Sequence, residues 1–272
     1  MYLLRKMILA GLLFSAGVNM FAQESAYAYD ANGNLTKDLN KNIVDIQYNS
    51  LNLPSRIVFK NGDNISHVYS ADGSKLRTVW VADGDTLTTD YCGNVIYENG
   101  VPVRLMTDVG YIDLSDTSYH YFIKDHQGNV RVVADEHGNA EEVNDYYAFG
   151  GLMSTSSRQS VQPYKYNGKE LETACGVNWY DYGARRYDPV LGRWNGVDPL
   201  CEDYYSENPY GYCGNNPVNY VDPNGLMKVL YNPDGTYKET THNNWFHNTF
   251  MGRQEYIDYG CLLYTSDAAD DK

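Results

Sequence analysis

The stretch KDHQGNVRVVADEHGNAEEV, residues 124–143, holds two turn signals with a short strand between them. Each signal is an Asp followed by a Gly three residues later, and in the strand Val130, Val132 and Ala134 alternate with other residues. Glycine supplies the positive φ of a tight hairpin turn, and an Asp side chain can hydrogen-bond the backbone beside it. Alternation with a period of two is typical of a strand. The stretch therefore predicts a ribbon of β-hairpins.

The same unit recurs along the chain. It is found as YDANGNLTKD from Tyr29, YSADGSKLRTVW from Tyr69 and YNPDGTYKE from Tyr231, and residues 49–65 insert a longer strand-turn-strand. The 27 Tyr favour strands and the 24 Gly favour turns. The predicted fold class is all-β: a curved, open ribbon of short antiparallel hairpins. Helix is expected only in an N-terminal signal segment, with at most a short turn near residues 199–205.

Charge and cysteine usage exclude several classes of function. The 35 acidic residues outnumber the 21 basic ones, which gives a formal net charge of −14. Phosphate contacts need a basic face, so this balance argues against a nucleic-acid partner. The five cysteines are odd in number and show neither a CxxC spacing nor a disulfide framework. The sequence therefore predicts no metal site and no cofactor.

The N-terminus has the order of a secretory signal peptide. Basic Arg5 and Lys6 precede an apolar run that is too short to span a bilayer comfortably, and a cut is expected between Ala22 and Gln23. The alternative is an uncleaved N-terminal anchor. After removal of the signal no stable membrane span is expected, and the protein is expected to be secreted or in the cell envelope.

The C-terminal stretch CLLYTSDAADD, residues 261–271, resembles the translation of a transposase-type sequencing adapter. We therefore interpret residues 261–272 as an assembly artefact and exclude them from reasoning about the fold. The natural chain is expected to continue past Gly260 into another sequence.

The repeats lead into two dense motifs, YGARRYDPVLGRWNGVDP at residues 182–199 and NPYGYCGNNPVNYVDPNGL at residues 208–226. Together with the repeats from Tyr29 onward, they resemble the YD repeats and the repeat-associated core of the bacterial rearrangement-hotspot (Rhs) family. In that family the repeats wind into a hollow β-sheet shell, and the segment after the core is variable and is often a toxin. The resemblance divides the chain into a signal peptide (1–22), a YD-repeat region (23–165), an Rhs core (166–226), the start of a variable C-terminal segment (227–260) and the adapter (261–272).

The stretch PVNYVDPNGL resembles the end of family cores that cut their own chain. The resemblance implies a break between Leu226 and Met227, with catalytic roles for Asp198, Asp222 and Arg185. The chemistry is reasonable for these residue types, because two neighbouring carboxylates can share one proton and so supply both an acid and a base for peptide hydrolysis. A guanidinium beside them can hold a carboxylate or a developing oxyanion.

Simpler explanations of the same residues remain open. Asp-Pro-Asn-Gly is close to an ideal reverse turn, so both aspartates could be turn residues that pair with nearby arginines. We interpret Asp188 as a turn residue only. The predicted function is a scaffold of an Rhs-type polymorphic toxin that presents a variable segment and cleaves itself like an aspartyl protease. Its expected partners are the rest of an Rhs shell, the C-terminal payload and a cognate immunity protein. The alternatives are a module that binds a cell-surface glycan or partner, and a non-functional gene fragment.

Overall fold

The computed structural model describes residues 25–157, 161–203, 205–226, 228–231 and 237–240. Over these residues the predicted all-β class is confirmed: the chain forms twenty strands in three antiparallel sheets, and its helical structure is limited to five 3₁₀ turns of three residues each. No helix in this part of the chain has the length and hydropathy to cross a membrane. The predicted signal peptide, with its cut between Ala22 and Gln23, and the predicted adapter tail lie outside the described residues.

The largest sheet has thirteen strands, and each pairs with its neighbour in chain order, as expected for a ribbon of hairpins. The sheet is open, with its first and last strands at opposite ends. The strands are β1 (Tyr27–Tyr29), β2 (Leu35–Asp38), β3 (Ile43–Tyr48), β4 (Pro54–Phe59), β5 (Asn64–Tyr69), β6 (Lys75–Ala82), β7 (Asp85–Cys92), β8 (Val95–Glu98), β9 (Val101–Thr107), β10 (Gly110–Asp113), β11 (Tyr119–Lys124), β12 (Val130–Asp135) and β13 (Ala140–Val143).

The repeat turns share one hydrogen-bonding pattern. In the turn that begins at Asp125, the Asp125 N–H donates to the Asn129 carbonyl at 3.0 Å and the Gly128 N–H donates to the Asp125 carbonyl at 3.0 Å. The Asp125 carboxylate also accepts from the backbone of Gln127 and Asn129 at 3.0 and 3.1 Å. The turns that begin at Asp30 and Asp135 repeat this arrangement. The sequence unit is therefore a structural unit, in which Gly takes the left-handed position and Asp holds the backbone.

Two smaller sheets follow the ribbon. The four-stranded sheet contains β14 (Glu170–Glu172), β15 (Trp179–Asp181), β16 (Arg186–Asp188) and β17 (Arg193–Trp194). The three-stranded sheet contains β18 (Tyr220–Val221), β19 (Val229–Tyr231) and β20 (Tyr237–Thr240). The 3₁₀ turns are Leu39–Lys41, Tyr166–Gly168, Ala174–Gly176, Cys201–Asp203 and Cys213–Asn215.

The four-stranded sheet packs on the first part of the ribbon. Val177 and Trp179, beside and within β15, are buried in one apolar cluster with ribbon residues that include Ile43, Ile57 and Ile65. A second cluster is aromatic and fills the core with Tyr166, Tyr180, Tyr182, Tyr187, Trp194, Tyr212 and Cys213. Many of the tyrosines counted in the sequence are therefore packing residues, which bury large rings and keep a hydroxyl for hydrogen bonding.

The first repeat turn is joined closely to the core. The Tyr210 hydroxyl donates to the Gly33 carbonyl at 2.8 Å, and the Leu35 N–H donates to the Asn195 carbonyl at 2.8 Å. Gly33 has φ +78°, and a Cβ there would lie 2.5 Å from Val197 Cγ2. Glycine is therefore required at this position both for its backbone conformation and for the close approach of the core.

Candidate active site

Arg185 lies in the turn between β15 and β16 and is almost fully buried. Its Nη2 atom is 2.8 Å from Asp198 Oδ2 and 3.6 Å from Asp222 Oδ2. Two of its other donors are used by backbone carbonyls: Nε donates to the Gly225 carbonyl at 2.6 Å and Nη1 to the Pro209 carbonyl at 3.2 Å. One guanidinium thus brings together three segments that are distant in sequence, and it contacts both of the aspartates that the sequence singled out.

The Trp194 ring supports this guanidinium from one side. The Arg185 Cζ atom is 4.3 Å from the centre of the ring, a cation–π distance. Trp194 belongs to the buried aromatic cluster, so its ring is held by packing. Burial lowers the pKa of Arg185, while Asp222 and Asp198 act in the opposite direction.

Asp198 follows β17 and is placed by the backbone on both sides. Its N–H donates to the Pro209 carbonyl at 3.1 Å, and its Oδ1 accepts from the Leu200 N–H at 2.8 Å. Oδ2 is the atom that meets Arg185. Burial raises the pKa of Asp198, and the charge and hydrogen bond of Arg185 oppose this rise.

Asp222 follows β18 and is both a turn residue and a neighbour of Arg185. Its Oδ1 accepts from the backbone N–H groups of Asn224, Gly225 and Leu226 at 3.2, 2.7 and 3.2 Å. Its Oδ2 faces Arg185. Burial raises the pKa of Asp222 to about 6, because desolvation outweighs the opposing effects of Arg185 and of the backbone hydrogen bonds.

The two carboxylates therefore differ in environment. The Asp222 side chain is 3% exposed and the Asp198 side chain 15%. Asp198 Oδ2 and Asp222 Oδ2 both contact Arg185 Nη2, so the distance between these two oxygen atoms is at most the sum of the two contact distances. Burial raises the pKa of both acids, and two neighbouring acids that are harder to ionise are suited to hold one proton between them.

A small cavity opens at this pair. Its volume is about 30 Å³, and its lining includes Arg185, Asp198 and Asp222. A space of about 10–15 Å³ is enough for one water molecule, provided that polar groups surround it. The cavity can therefore hold the water that a hydrolysis would consume.

The residues just before the predicted cut lie beside the cluster of Arg185, Asp198 and Asp222. The Leu226 N–H is held by Asp222 and by the Asn224 side chain, each at 3.2 Å, and the preceding Gly225 carbonyl is held by Arg185. Gly225 has φ +79°, and a Cβ there would lie 3.1 Å from the Arg185 backbone nitrogen. Met227, the other side of the predicted bond, lies outside the described residues.

Comparison with known proteins gives distant relatives over most of the chain. No family model matches the sequence. Salivary gland surface protein 1 of Aedes aegypti is 29% identical over 233 residues, and the tRNA nuclease WapA of Bacillus subtilis (strain 168) is 28% identical over 225 residues. Toxin subunit YenC2 of Yersinia entomophaga is 35% identical over 99 residues. The matched regions cover 76, 74 and 35% of this chain, but only 7, 9 and 10% of those proteins.

Solved structures of similar fold give a consistent result. A TcdB2-TccC3 structure matches with a TM-score of 0.60 at 22% identity, over 73% of this chain and 11% of that chain. A Tc holotoxin pore from Photorhabdus luminescens matches with a TM-score of 0.61 at 21% identity, over 75% of this chain and 11% of that one. The chain has the same fold as these structures, which supports its resemblance to Rhs/YD-repeat proteins. It spans about a tenth of the length of the relatives that it matches.

Other charged residues of the four-stranded sheet have structural partners. Asp188 caps the turn after β16 through Val190 and Leu191, and its Oδ2 accepts from the Trp179 indole at 3.1 Å. Arg186 forms an ion pair with Asp181 and donates to the Tyr69 hydroxyl at 3.1 Å. Asp188 therefore has the turn geometry that the sequence indicated.

Sequence reasoning missed two features of the candidate site. Trp194, which stacks on Arg185, was visible only as the aromatic residue of a Gly-Arg-Trp triplet. The Pro209 and Gly225 carbonyls accept hydrogen bonds from Arg185, and the identity of a side chain does not reveal such a role of the backbone. Backbone groups of this kind can be found only when the fold brings the segments together.

Proposed function

We propose that this chain is part of the β-sheet scaffold of an Rhs-type polymorphic toxin and that it cuts itself once, between Leu226 and Met227. The contact of Arg185 with both Asp198 and Asp222, next to Leu226, is the observation that carries the proposal. Relatives named as toxin subunits and as a tRNA nuclease support the toxin context. Residues from 227 onward would then belong to a variable payload.

The two aspartates take different roles in the proposed hydrolysis. Asp198, the more exposed of the two, removes a proton from a water molecule in the cavity, and the water adds to the Leu226 carbonyl carbon. Asp222, whose pKa is raised to about 6, holds the shared proton and donates it to the departing nitrogen of Met227. The carbon–nitrogen bond breaks, which leaves a Leu226 carboxylate and a Met227 amine.

Arg185 positions the substrate segment as well as the acids. Its Nε atom holds the Gly225 carbonyl, one residue before the bond to be cut. Because the substrate and the catalytic groups belong to one chain, the effective concentration is high, and a single slow turnover is sufficient.

The scaffold role predicts partners and a location. The open ends of the thirteen-stranded ribbon would pair with the rest of a shell, since an exposed sheet edge otherwise invites unspecific pairing. The payload and a cognate immunity protein are the other proposed partners, and the location is extracellular or the cell envelope. We propose no glycan site, because the tyrosines of the aromatic cluster are buried in the core.

The direct test is to find the new N-terminus. The full-length gene, expressed with tags at both ends, should yield a fragment whose N-terminal sequence begins at Met227. Asp198→Asn and Asp222→Asn should each slow cleavage by at least about a hundredfold, because Asn keeps the shape but carries no transferable proton. Cleavage should also slow as the pH rises above about 6, where Asp222 loses its proton.

Asp135→Asn is the matched control, since Asp135 occupies the same kind of turn without an arginine. It should cleave at the wild-type rate. If the wild-type chain stays uncut, or if Asp198→Asn and Asp222→Asn both cleave normally, the two aspartates have no catalytic role and are turn residues only.

A further inference from the structure

A second buried polar cluster lies at the junction between the ribbon and the core, away from the candidate active site. Its members are Glu142 in β13, Asn144 just after it, and Gln162 and Lys165 in the segment that leads to the core. All four are at most 2% exposed. A lysine is almost never buried this completely unless it has a specific partner.

The cluster is arranged around one carboxylate oxygen. Glu142 Oε1 accepts from Lys165 Nζ, from Asn144 Nδ2 at 2.5 Å and from Gln162 Nε2 at 3.2 Å. The amine of Lys165 and the amide of Asn144 are therefore both hydrogen-bonded to the same atom. The Asn144 amide is further fixed by donation to the Val130 carbonyl at 3.2 Å.

The other acceptors of the cluster have no donor. Within the described residues, neither Glu142 Oε2 nor Asn144 Oδ1 has a hydrogen-bond partner, although both are buried. Buried polar atoms in folded proteins nearly always have a hydrogen-bond partner. Two buried acceptors without a donor, on adjoining groups, therefore destabilise the folded state. A proton on Glu142 Oε2 would supply the donor that these two atoms lack.

The surroundings of the cluster are apolar on the ribbon side. Glu142 lies opposite Val133 in the sheet, and Val130 and Val133 are fully buried in an apolar cluster. Burial lowers the pKa of Lys165, with Glu142 opposing this shift. A proton moved from Lys165 to Glu142 would leave an uncharged amine, which is a nucleophile, beside a carboxylic acid and a carboxamide.

We propose that Lys165 and Asn144 form an intramolecular isopeptide bond, with Glu142 as the proton carrier. The Lys165 Nζ lone pair attacks Asn144 Cγ, and the Cγ–Nδ2 bond breaks. Glu142 passes one proton from Nζ to Nδ2, so that ammonia leaves and Glu142 is regenerated. No oxidant, cofactor or water is consumed, and the fixed geometry replaces an external catalyst.

The bond would join the end of the ribbon to the segment that enters the core. Lys165 already contacts the ribbon through its backbone, since its carbonyl accepts from the Val130 N–H at 3.1 Å. The next residue, Tyr166, begins the buried aromatic cluster. A covalent link here would keep the two parts together when the hydrogen bonds between them break. This inference does not depend on self-cleavage.

The test is mass spectrometry of the folded full-length chain. The undigested protein should be lighter than its sequence by the mass of one ammonia. Trypsin should yield a branched peptide in which residues 132–158 are joined to residues 159–169, uncut at Lys165, and fragmentation should locate the bond between Asn144 and Lys165. Recovery of the two stretches as separate, unmodified peptides would overturn the proposal, and Lys165 and Glu142 would then be an ion pair only.

Two variants separate the bond from the ion pair. Lys165→Arg keeps a cation beside Glu142 but provides no amine nucleophile, so it should fold and show the full sequence mass. Glu142→Gln keeps the shape without a transferable proton and should also remain unlinked. If Glu142→Gln does not fold, Lys165→Arg and the wild-type mass still decide the question. A loss of ammonia that persists in Lys165→Arg would place the reaction elsewhere and contradict the assignment.

Discussion

Asp135 in the ribbon and Asp222 in the core both hydrogen-bond the backbone of the turn that follows them, but their pKa values are shifted in opposite directions. Asp135 Oδ1 accepts from the N–H groups of His137 and Asn139, much as Asp222 Oδ1 accepts from the residues that follow it. The side-chain hydrogen bond of Asn139 lowers the pKa of the exposed Asp135, whereas burial raises that of Asp222 to about 6. The turn alone does not decide whether an aspartate acts as an acid.

The difference comes from the second carboxylate oxygen and its surroundings. Asp135 Oδ2 accepts from the Asn139 amide at 2.7 Å in a solvent-exposed turn. Asp222 Oδ2 faces Arg185, which also holds Asp198, and the whole group is buried. An aspartate that hydrogen-bonds the backbone of a turn can thus have a raised pKa when it is buried, even beside an arginine.

A large effect is expected when Arg185, the partner that both aspartates share, is changed. Arg185→Lys should slow self-cleavage by roughly a hundredfold, because a single ammonium cannot hold Asp198, Asp222 and the Gly225 carbonyl at once. Arg193→Lys, at an exposed arginine of β17, is the matched control and should leave the rate unchanged. Both rates can be followed by denaturing electrophoresis during cell-free translation. Equal rates for the two variants would remove Arg185 from the site.

The second prediction concerns stability and pH. Ionisation of Asp222 is less favourable in the folded chain than in the unfolded one, so its stabilising contribution is present below pH 3.8 and is lost as the pH rises through about 6. Between pH 4 and pH 7, a chain with Asp222 should lose about 2 kcal/mol of unfolding free energy relative to Asp222→Asn. Urea unfolding measures this, with Asp198→Asn in both chains to prevent cleavage.

Asp135→Asn sharpens the comparison because the pH dependence of its effect on stability should have the opposite sign. The lowered pKa of Asp135 means that its contribution is present above pH 3.8 and is lost as the pH falls. The effect should be small because Asp135 is exposed. If Asp222→Asn and Asp135→Asn shift the pH profile in the same direction, the contrast between the two turns is wrong.

A smaller difference in thermal stability is expected between substitutions in two repeat turns. Gly33 and Gly138 both have positive φ, +78° and +84°, so replacement by Ala should cost about 1 kcal/mol of strain at either position. At Gly33 the new Cβ would also meet Val197 and Tyr210, whereas at Gly138 it would meet nothing within 4 Å. Gly33→Ala should therefore lower the Tm more than Gly138→Ala, and equal losses would show that the first turn does not rest on the core.

Much of the ribbon could be predicted from the sequence, because its signals are local. The Asp-to-Gly spacing from Asp125 to Gly128 and from Asp135 to Gly138 fixes each turn, and alternating residues between the turns form the strands. The order of strands then follows from consecutive hairpins. Local rules suffice where each element pairs only with its neighbour in the chain.

The candidate site was predictable only in part. The resemblance selected Asp198, Asp222 and Arg185, but nothing local indicates that residues so far apart in sequence share one guanidinium. The roles of Trp194 and of the Pro209 carbonyl depend on packing between segments, and so does the burial that raises the pKa of Asp222. The cluster of Glu142, Asn144 and Lys165 was missed for the same reason.

The most direct test of this account is the titration of the Asp222 carboxyl group itself. ¹³C NMR of aspartate-labelled protein, with Asp198→Asn to keep the chain intact, can assign the signals by their loss in Asp222→Asn and Asp135→Asn. The account predicts a midpoint well above pH 3.8 for Asp222 and one below 3.8 for Asp135. If Asp222 titrated at or below 3.8 alongside Asp135, the core turn would be a turn only, and the proposed acid would be contradicted.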